Sequence, residues 1–307
     1  MLRKREQGIE DLRRHGQWSD VWKRLMDNKL AMVGLGIIVV LILVAIFSKW
    51  IAPYDYAAQN IREKFQFPNG QHWLGTDNYG RDIFSRIIVG ARISLLVSLL
   101  ALVISLVIGG ALGCVAGYFG GKVDTIIMRL MDILMAVPAL LLAVSISTAL
   151  GTGVFNTALA IAVAGILGGG LVSAMIALGI TMWTGFARLA RSHSLALKNV
   201  PYVQAARLAG KRGPVIMIAH ILPNIIGPIL TNALTQIGTT MIGISGLSFL
   251  GLGVVPPTAE WGSMINESRA YIQIAPWAVL YPALATIVTI IVFNYLGDCV
   301  MEYRNED

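Results

Sequence analysis

The chain has 307 residues, of which 56% are apolar and 13% charged, with a net charge of +7. That charged fraction is about half of what soluble domains carry, so a single soluble core could not hide this much apolar surface and a disordered chain would not contain it. The 2 cysteines exclude a disulfide scaffold and a cysteine-built zinc site, which leaves an all-α, polytopic membrane protein.

A crossing needs about 20 predominantly apolar residues, so uncharged runs mark the spans. Residues 1–29 form a basic N-terminal segment, followed by a clean run over 30–48. The polar segment also holds Glu6, Glu10, Asp11, Asp20 and Asp27, and no small-residue cleavage site follows the run. It therefore reads as an anchor and not as a cleaved signal peptide. Residues 49–92 read as an extracytoplasmic loop with an interfacial helix. There Thr76 and Asp77 could cap a helix start, Gly80 permits a tight turn, and Asp82 and Arg86 have i,i+4 spacing for a pair.

The next uncharged run is Ile93–Gly121. Gly109, Gly113 and Gly117 lie four apart on one face of it, a spacing that lets another helix come close, either within this chain or from a partner. Ile133–Ala187 holds no charge and is too long for one helix. A glycine-rich turn at Leu150–Asn156 divides it into spans over Ile133–Ala149 and Thr157–Thr184, the second open to a kink at Gly168–Gly170. A fifth span is expected over Ile221–Leu247 and a sixth over Ala270–Gly297. Between them Gly251, Gly253, Pro256 and Pro257 make an irregular stretch. Irregular backbone at such depth must be buried or line water, so Gly251, Gly253, Glu260 and Trp261 are candidates for a pathway mouth. The carboxylates Glu260 and Glu267 are expected on a solvated loop face, and residues 299–307 as a cytosolic tail.

Lysine and arginine set the orientation. Residues 1–29 carry eight of them, and Arg188–Arg212 carries six with no acid. Both termini are then cytosolic. The 49–92 segment, also with six basic residues, is partly neutralised by Asp55, Glu63, Asp77 and Asp82.

No engine is visible. The interiors of the six runs lack Asp, Glu, Lys and Arg, whereas an ion-coupled carrier usually lines its pathway with such groups. Gly120–Val123 and Gly210–Arg212 lack the glycine spacing and the Ser/Thr of a phosphate-binding loop. His15, His72, His193 and His220 lack metal-ligand spacing, so no metal and no catalytic residue is assigned. Cys114 and Cys299 read as small packing residues. The basic clusters follow membrane topology, and no aromatic–basic platform points to nucleic acid. The chain is therefore a passive channel, an enzyme scaffold, or a body moved by another chain.

The cytosolic loop over 185–220 contains the best receiver of force. Pro201 is pre-set for a first turn after a possible Asn199 cap, and Gly210 can close the helix. A helix over Pro201–Ala209 puts Tyr202, Ala205, Ala206 and Ala209 on one face, with Arg207 pointing elsewhere. Gln204-Ala205-Ala206-x3-Gly210, then nine residues, then His220-Ile221-Leu222-Pro223 resembles the Glu-Ala-Ala loop of ABC-importer permeases, with Gln204 and His220 departing from that pattern. Further strings run in order along the chain: Leu74-Gly-Thr-Asp-Asn-Tyr-Gly-Arg-Asp82, Gly90-Ala-Arg-Ile-Ser94, Gly117-Tyr-Phe-Gly-Gly-Lys-Val-Asp124, Leu247-Ser-Phe-Leu-Gly-Leu-Gly253 and Pro256-Pro-Thr-Ala-Glu-Trp-Gly262. Together they resemble the second permease of the dipeptide, oligopeptide and nickel importers.

The resemblance implies the type I ABC-importer permease fold in a bacterial cytoplasmic membrane. It implies a sister permease, two ATPase subunits and an extracytoplasmic solute-binding protein as partners. No cofactor would be bound by this chain, and ATP and Mg would be handled on the ATPases. Pro201, Tyr202, Val203, Gln204, Ala205, Ala206, Arg207, Gly210 and Pro223 would form the ATPase-coupling element. Peptides are the implied cargo, with a nickel or metal-chelate importer as the alternative. An ATP-independent channel or secondary carrier is the alternative from another class.

Overall fold

A computed structural model of the chain describes residues 17–151, 169–254 and 256–305. The described residues form helices joined by short turns and one long loop. The amphipathic helix α1, Gln17–Asp27, leads into the first span, α2, Lys29–Ile51. Asn28 separates them: its side chain accepts from the backbone N–H of Leu30 and Ala31, which satisfies two donors that the start of α2 leaves open. α2 is peripheral. It packs at Gly34 against Leu296 and Val292, and Ala31, Gly34 and Ser48 are its buried residues.

The centre of the bundle is the pair α3, Ile83–Phe119, and α6, Gly169–Lys198. At about 1.5 Å per residue the 37 residues of α3 span roughly 55 Å, well beyond the hydrocarbon thickness. Its start lies ten residues before the run expected from the sequence, because Asp82 caps it by accepting from the Ser85 N–H at 2.7 Å. No helix forms over Leu74–Asp82. That stretch is a folded loop with a bridge between Thr76 and Asp82 and a left-handed Gly80, so Thr76 and Asp77 cap nothing. The expected interfacial helix is reduced to one turn, Ile61–Glu63.

The third span is not straight. α4, Gly121–Ala136, and α5, Ala139–Gly151, meet at 94°. Pro138 carries no N–H and pushes the preceding Val137 to extended backbone (φ −92°, ψ 131°), which ends α4. The span thus begins at Gly121, and the straight helix expected over Ile133–Ala149 is replaced by a broken one. The glycine-rich turn lies largely, and the first part of the fourth span wholly, outside the described residues. The described part, α6, continues past Thr184 to Lys198.

A short helix α7, Pro201–Leu208, precedes α8, Gly213–Phe249. Within α8 the ladder opens to i,i+5 spacing over Met217–Ile221, just before Pro223, which cannot donate to the carbonyl four residues back. α9, Trp261–Ser268, and α10, Trp277–Asn305, complete the fold. α10 absorbs most of the expected tail. Among the described residues, five helices are long and apolar enough to cross a membrane, and the bent pair α4–α5 makes six if it is one span. Cys114 and Cys299 are buried and unbridged.

Candidate functional site

α7 is built to be held on one side and offered on the other. Pro201 starts it without a side-chain cap; Val200 occupies the cap position, and Asn199 instead accepts through its carbonyl from the Gln204 side chain at 3.1 Å. Its end is a Schellman turn: the Lys211 N–H reaches the Ala206 carbonyl at 3.2 Å and the Gly210 N–H reaches Arg207 at 3.0 Å. That turn requires a left-handed residue, and Gly210 supplies it at φ +79°.

Val203 and Ala206 are buried, in one cluster with Tyr118 of α3, Ala190 of α6 and Ile216 and Ile221 of α8. Tyr202, Ala205 and Ala209 are exposed, and Leu208 is 89% exposed. Ala206 therefore does not belong to the outward face expected for it. The outward stripe is Tyr202, Ala205 and Leu208, three residues apart. Leu208 was missed by the sequence reading, though its spacing from Tyr202 was the available signal. Arg207 leans over the Tyr118 ring at 5.8 Å, Tyr202 lies 6.4 Å from the His220 ring, and Lys211 Nζ is 3.3 Å from His220 Nε2. Pro223 is exposed about three turns into α8, just past the widened turn.

The seat of α7 is tied to α3 and α6 by a glycine stripe. A Cβ at Gly109 would overlap the backbone oxygen of Trp183, one at Gly113 that of Ala187, and one at Gly117 would lie 2.6 Å from Ser194 Cβ. The stripe thus faces α6 inside this chain. Beside it, Arg191 of α6 grips Asp124 of α4 through two bonds of 2.5 and 2.7 Å.

The opposite end is a cap of buried polar groups. Glu260 is fully buried, contrary to the solvated face expected for it. Its two carboxylate oxygens accept from the backbone N–H of Gly262 at 2.9 Å and Ser263 at 2.8 Å, so it is the cap of α9. Burial pushes its carboxyl above the usual range, and the hydrogen bonds from Gly262, Ser263 and Ser94 pull the other way. Trp261 is buried against Gly90 and donates to the Ile87 carbonyl at 3.0 Å. Gly251 is left-handed at φ +79°, and a Cβ at Gly253 would collide with Ser248. Gly253 and Val254 on one side and Ala259–Trp261 on the other are therefore packed against α8 and α3, and together they form a strap between α8 and α9.

Glu267 is also drawn inward. It accepts from Arg81 and from Arg86, the latter at 3.4 Å, while Asp77 takes Arg81 Nε at 2.6 Å and lies 3.5 Å from Arg86 Nη1. Arg86 thus pairs with Asp77 and Glu267, and not with Asp82 as its spacing suggested. Asp82 is engaged by the Ser85 N–H and by His72 Nδ1 at 2.9 Å.

The comparisons with known proteins identify the family. The family described as the binding-protein-dependent transport system inner membrane component matches residues 109–305, and the N-terminal TM domain of oligopeptide transport permease C matches residues 16–68. The dipeptide transport system permease protein of Alkalihalophilus pseudofirmus is 41% identical over 281 residues, covering 92% of this chain and 87% of that one. The glutathione transport system permease proteins of Escherichia coli and Shigella boydii are each 42% identical over 284 residues, covering 92% of this chain and 88% of theirs. The chain belongs to the family of binding-protein-dependent transport system inner membrane components, and it is a permease subunit of an ABC importer rather than an enzyme.

Proposed function

We propose that this chain is one of two paired permeases that import short peptides, and that α7 is the lever by which ATPase subunits move it. The observation that carries the proposal is the one-sided burial of α7. Leu208 and Tyr202 offer an apolar edge that a partner's groove can take, while Val203 and Ala206 bind the helix to the ends of α3, α6 and α8. A push on the outer face is therefore passed to three spans rather than absorbed by a loop. Gln204, folded back on Asn199, leaves the edge uncharged where the family pattern has a glutamate.

In this reading ATP and Mg are bound by two ATPase subunits, and this chain holds no cofactor. The basic clusters in residues 1–29 and 188–212 support cytosolic termini and a cytosolic α7 in a bacterial inner membrane. A sister permease completes the pathway, and a solute-binding protein delivers cargo to the end capped by the strap between α8 and α9. Dipeptides and glutathione are both short peptides, so the relatives favour peptide cargo over a nickel chelate.

The test is Leu208→Glu alone and with Tyr202→Ala in cells, with uptake of labelled dipeptide and glutathione and binding-protein-stimulated ATP hydrolysis measured together. Uptake and stimulation should both be abolished at unchanged membrane abundance. Normal stimulation in both variants refutes the coupling role.

A further inference from the structure

At the end of the bundle opposite α7, a cavity of about 650 Å³ opens between α2 and α3. Lys49 and Arg92 line it, with Ser48 and Asp55 beside them and Ile93 and Leu96 forming apolar wall. Lys49 ends the uncharged run 30–48, and Arg92 precedes the uncharged run that starts at Ile93. The two cations therefore mark the same depth, the edge of the hydrocarbon, on two neighbouring spans. Trp50 is 78% exposed next to Lys49 and lies 5.7 Å from Phe47, an aromatic pair of the kind that sits at headgroup level.

The polar groups are poorly used by the protein itself. Neither Lys49 nor Arg92 has an ion-pair partner among the described residues. The buried Ser48 hydroxyl has no hydrogen-bond partner there either. Asp55, the one carboxylate in the wall, pairs with neither cation; one of its oxygens accepts from the Ala57 N–H at 3.0 Å and the other is left for a ligand. Two unpaired cations above an apolar wall match an amphiphile with an anionic head and aliphatic tails.

We propose that this cavity is a phospholipid site, with the phosphodiester held between Lys49 and Arg92 and an acyl chain along Ile93 and Leu96. The lysine stem can lie along the apolar wall while its ammonium stays at headgroup level. The Asp55 side of the cavity suits a headgroup bearing an amine. The site binds the peripheral α2 to the central α3 through lipid in the leaflet facing away from α7.

Native mass spectrometry on the delipidated, intact importer complex tests this, with dioleoylphosphatidylglycerol, dioleoylphosphatidylethanolamine and inorganic phosphate added separately. Both lipids should bind and inorganic phosphate should not. The variant Lys49→Ala/Arg92→Ala should bind lipid about thirtyfold more weakly, two basic groups lost at membrane-surface strength, and Arg62→Ala should behave as wild type. If the double variant fails to assemble, Lys49→Gln alone should cost about fivefold. Ala52→Trp, which fills the cavity and keeps both charges, should also remove binding. Unchanged lipid affinity in the charge variants overturns the proposal. So does phosphate binding as tight as lipid, which would mark a free-anion site, or no lipid uptake by the complex, which would mean that another subunit covers the cavity.

Discussion

Ser94, about three turns into α3, joins Glu260 and its neighbour at once: its hydroxyl donates to Glu260 Oε1 at 3.3 Å and accepts from the Trp261 N–H at 3.2 Å. One serine thereby fixes the strap after α8 to the central span. Glu260→Ala would leave the Gly262 and Ser263 donors buried and unmet. Loss of a cap costs about 1 kcal/mol, and an unmet buried donor about 1–3 kcal/mol. Glu260→Ala should accordingly lose about 2–4 kcal/mol of stability in thermal unfolding of the purified complex, and Glu260→Gln, which keeps one acceptor, should lose less. Equal stability of wild type and Glu260→Ala would remove the capping role.

The same carboxyl predicts a pH dependence. Burial holds its folded-state pKa above the ordinary value of 4.5. The folded state then binds more protons than the unfolded state across that interval, so stability is full below 4.5 and falls as pH rises through the folded-state value. Glu260→Gln has no proton to lose. Melting curves taken from acid to neutral pH should show wild type losing ground to Glu260→Gln as pH rises. Parallel curves would contradict the shift.

Ala206 and Leu208 differ in burial, and their variants should differ in kind. Ala206→Glu drives a charge into the cluster around Tyr118 and Ile216, where an unpaired ion costs several kcal/mol. Membrane abundance should drop severalfold by immunoblot. Leu208→Ser touches no buried contact, so abundance should stay within error of wild type. A well-expressed Ala206→Glu protein would mean that α7 is not seated as described.

Much of this architecture is legible in the sequence, because spans announce themselves by length and lack of charge. The loop carrying α7 was legible as well, since Pro201 and Gly210 fix its two ends. What escaped the sequence depends on contacts far along the chain. Arg86 looked like a partner for Asp82 at i,i+4, yet the fold brings Glu267, 181 residues away, to its guanidinium. Glu260 looked like a loop carboxylate because nothing local says that Ser94 and two N–H groups will enclose it. Pro138 was a local signal for the break between α4 and α5, but an uninterrupted apolar run around it outweighed one residue. Ala206 fell on the wrong face because alanine tolerates either, and only the position of Tyr118 decides.

Gly113 should not tolerate a side chain. A Cβ there would overlap the Ala187 backbone oxygen, and backbone cannot rotate away as a flexible side chain can. Gly113→Ala must separate α3 from α6, at about 1–3 kcal/mol for overpacking, and Gly113→Leu should prevent assembly. Gly110, one turn position away, has open space around its Cβ, so Gly110→Ala should be neutral. Melting temperatures of Gly110→Ala and Gly113→Ala give the comparison, with assembly of Gly113→Leu read separately; similar losses at 110 and 113 would mean that the stripe does not carry the contact.

Glu267 holds two buried guanidinium groups, Arg81 and Arg86, each about 1% exposed. Removing one partner of a buried ion pair typically costs 3–5 kcal/mol because the charge left behind has neither water nor counterion. Glu267→Met leaves Asp77 to balance two arginines and should destabilise the complex by about that amount. Arg86→Met combined with Glu267→Met removes one charge of each sign and keeps the Arg81–Asp77 pair, so it should recover much of the loss. Thermal unfolding of the single and double variants forms the cycle. A double variant as unstable as the sum of its single changes would mean that the two side chains do not act as a pair, and that the cap is held by Asp77 alone.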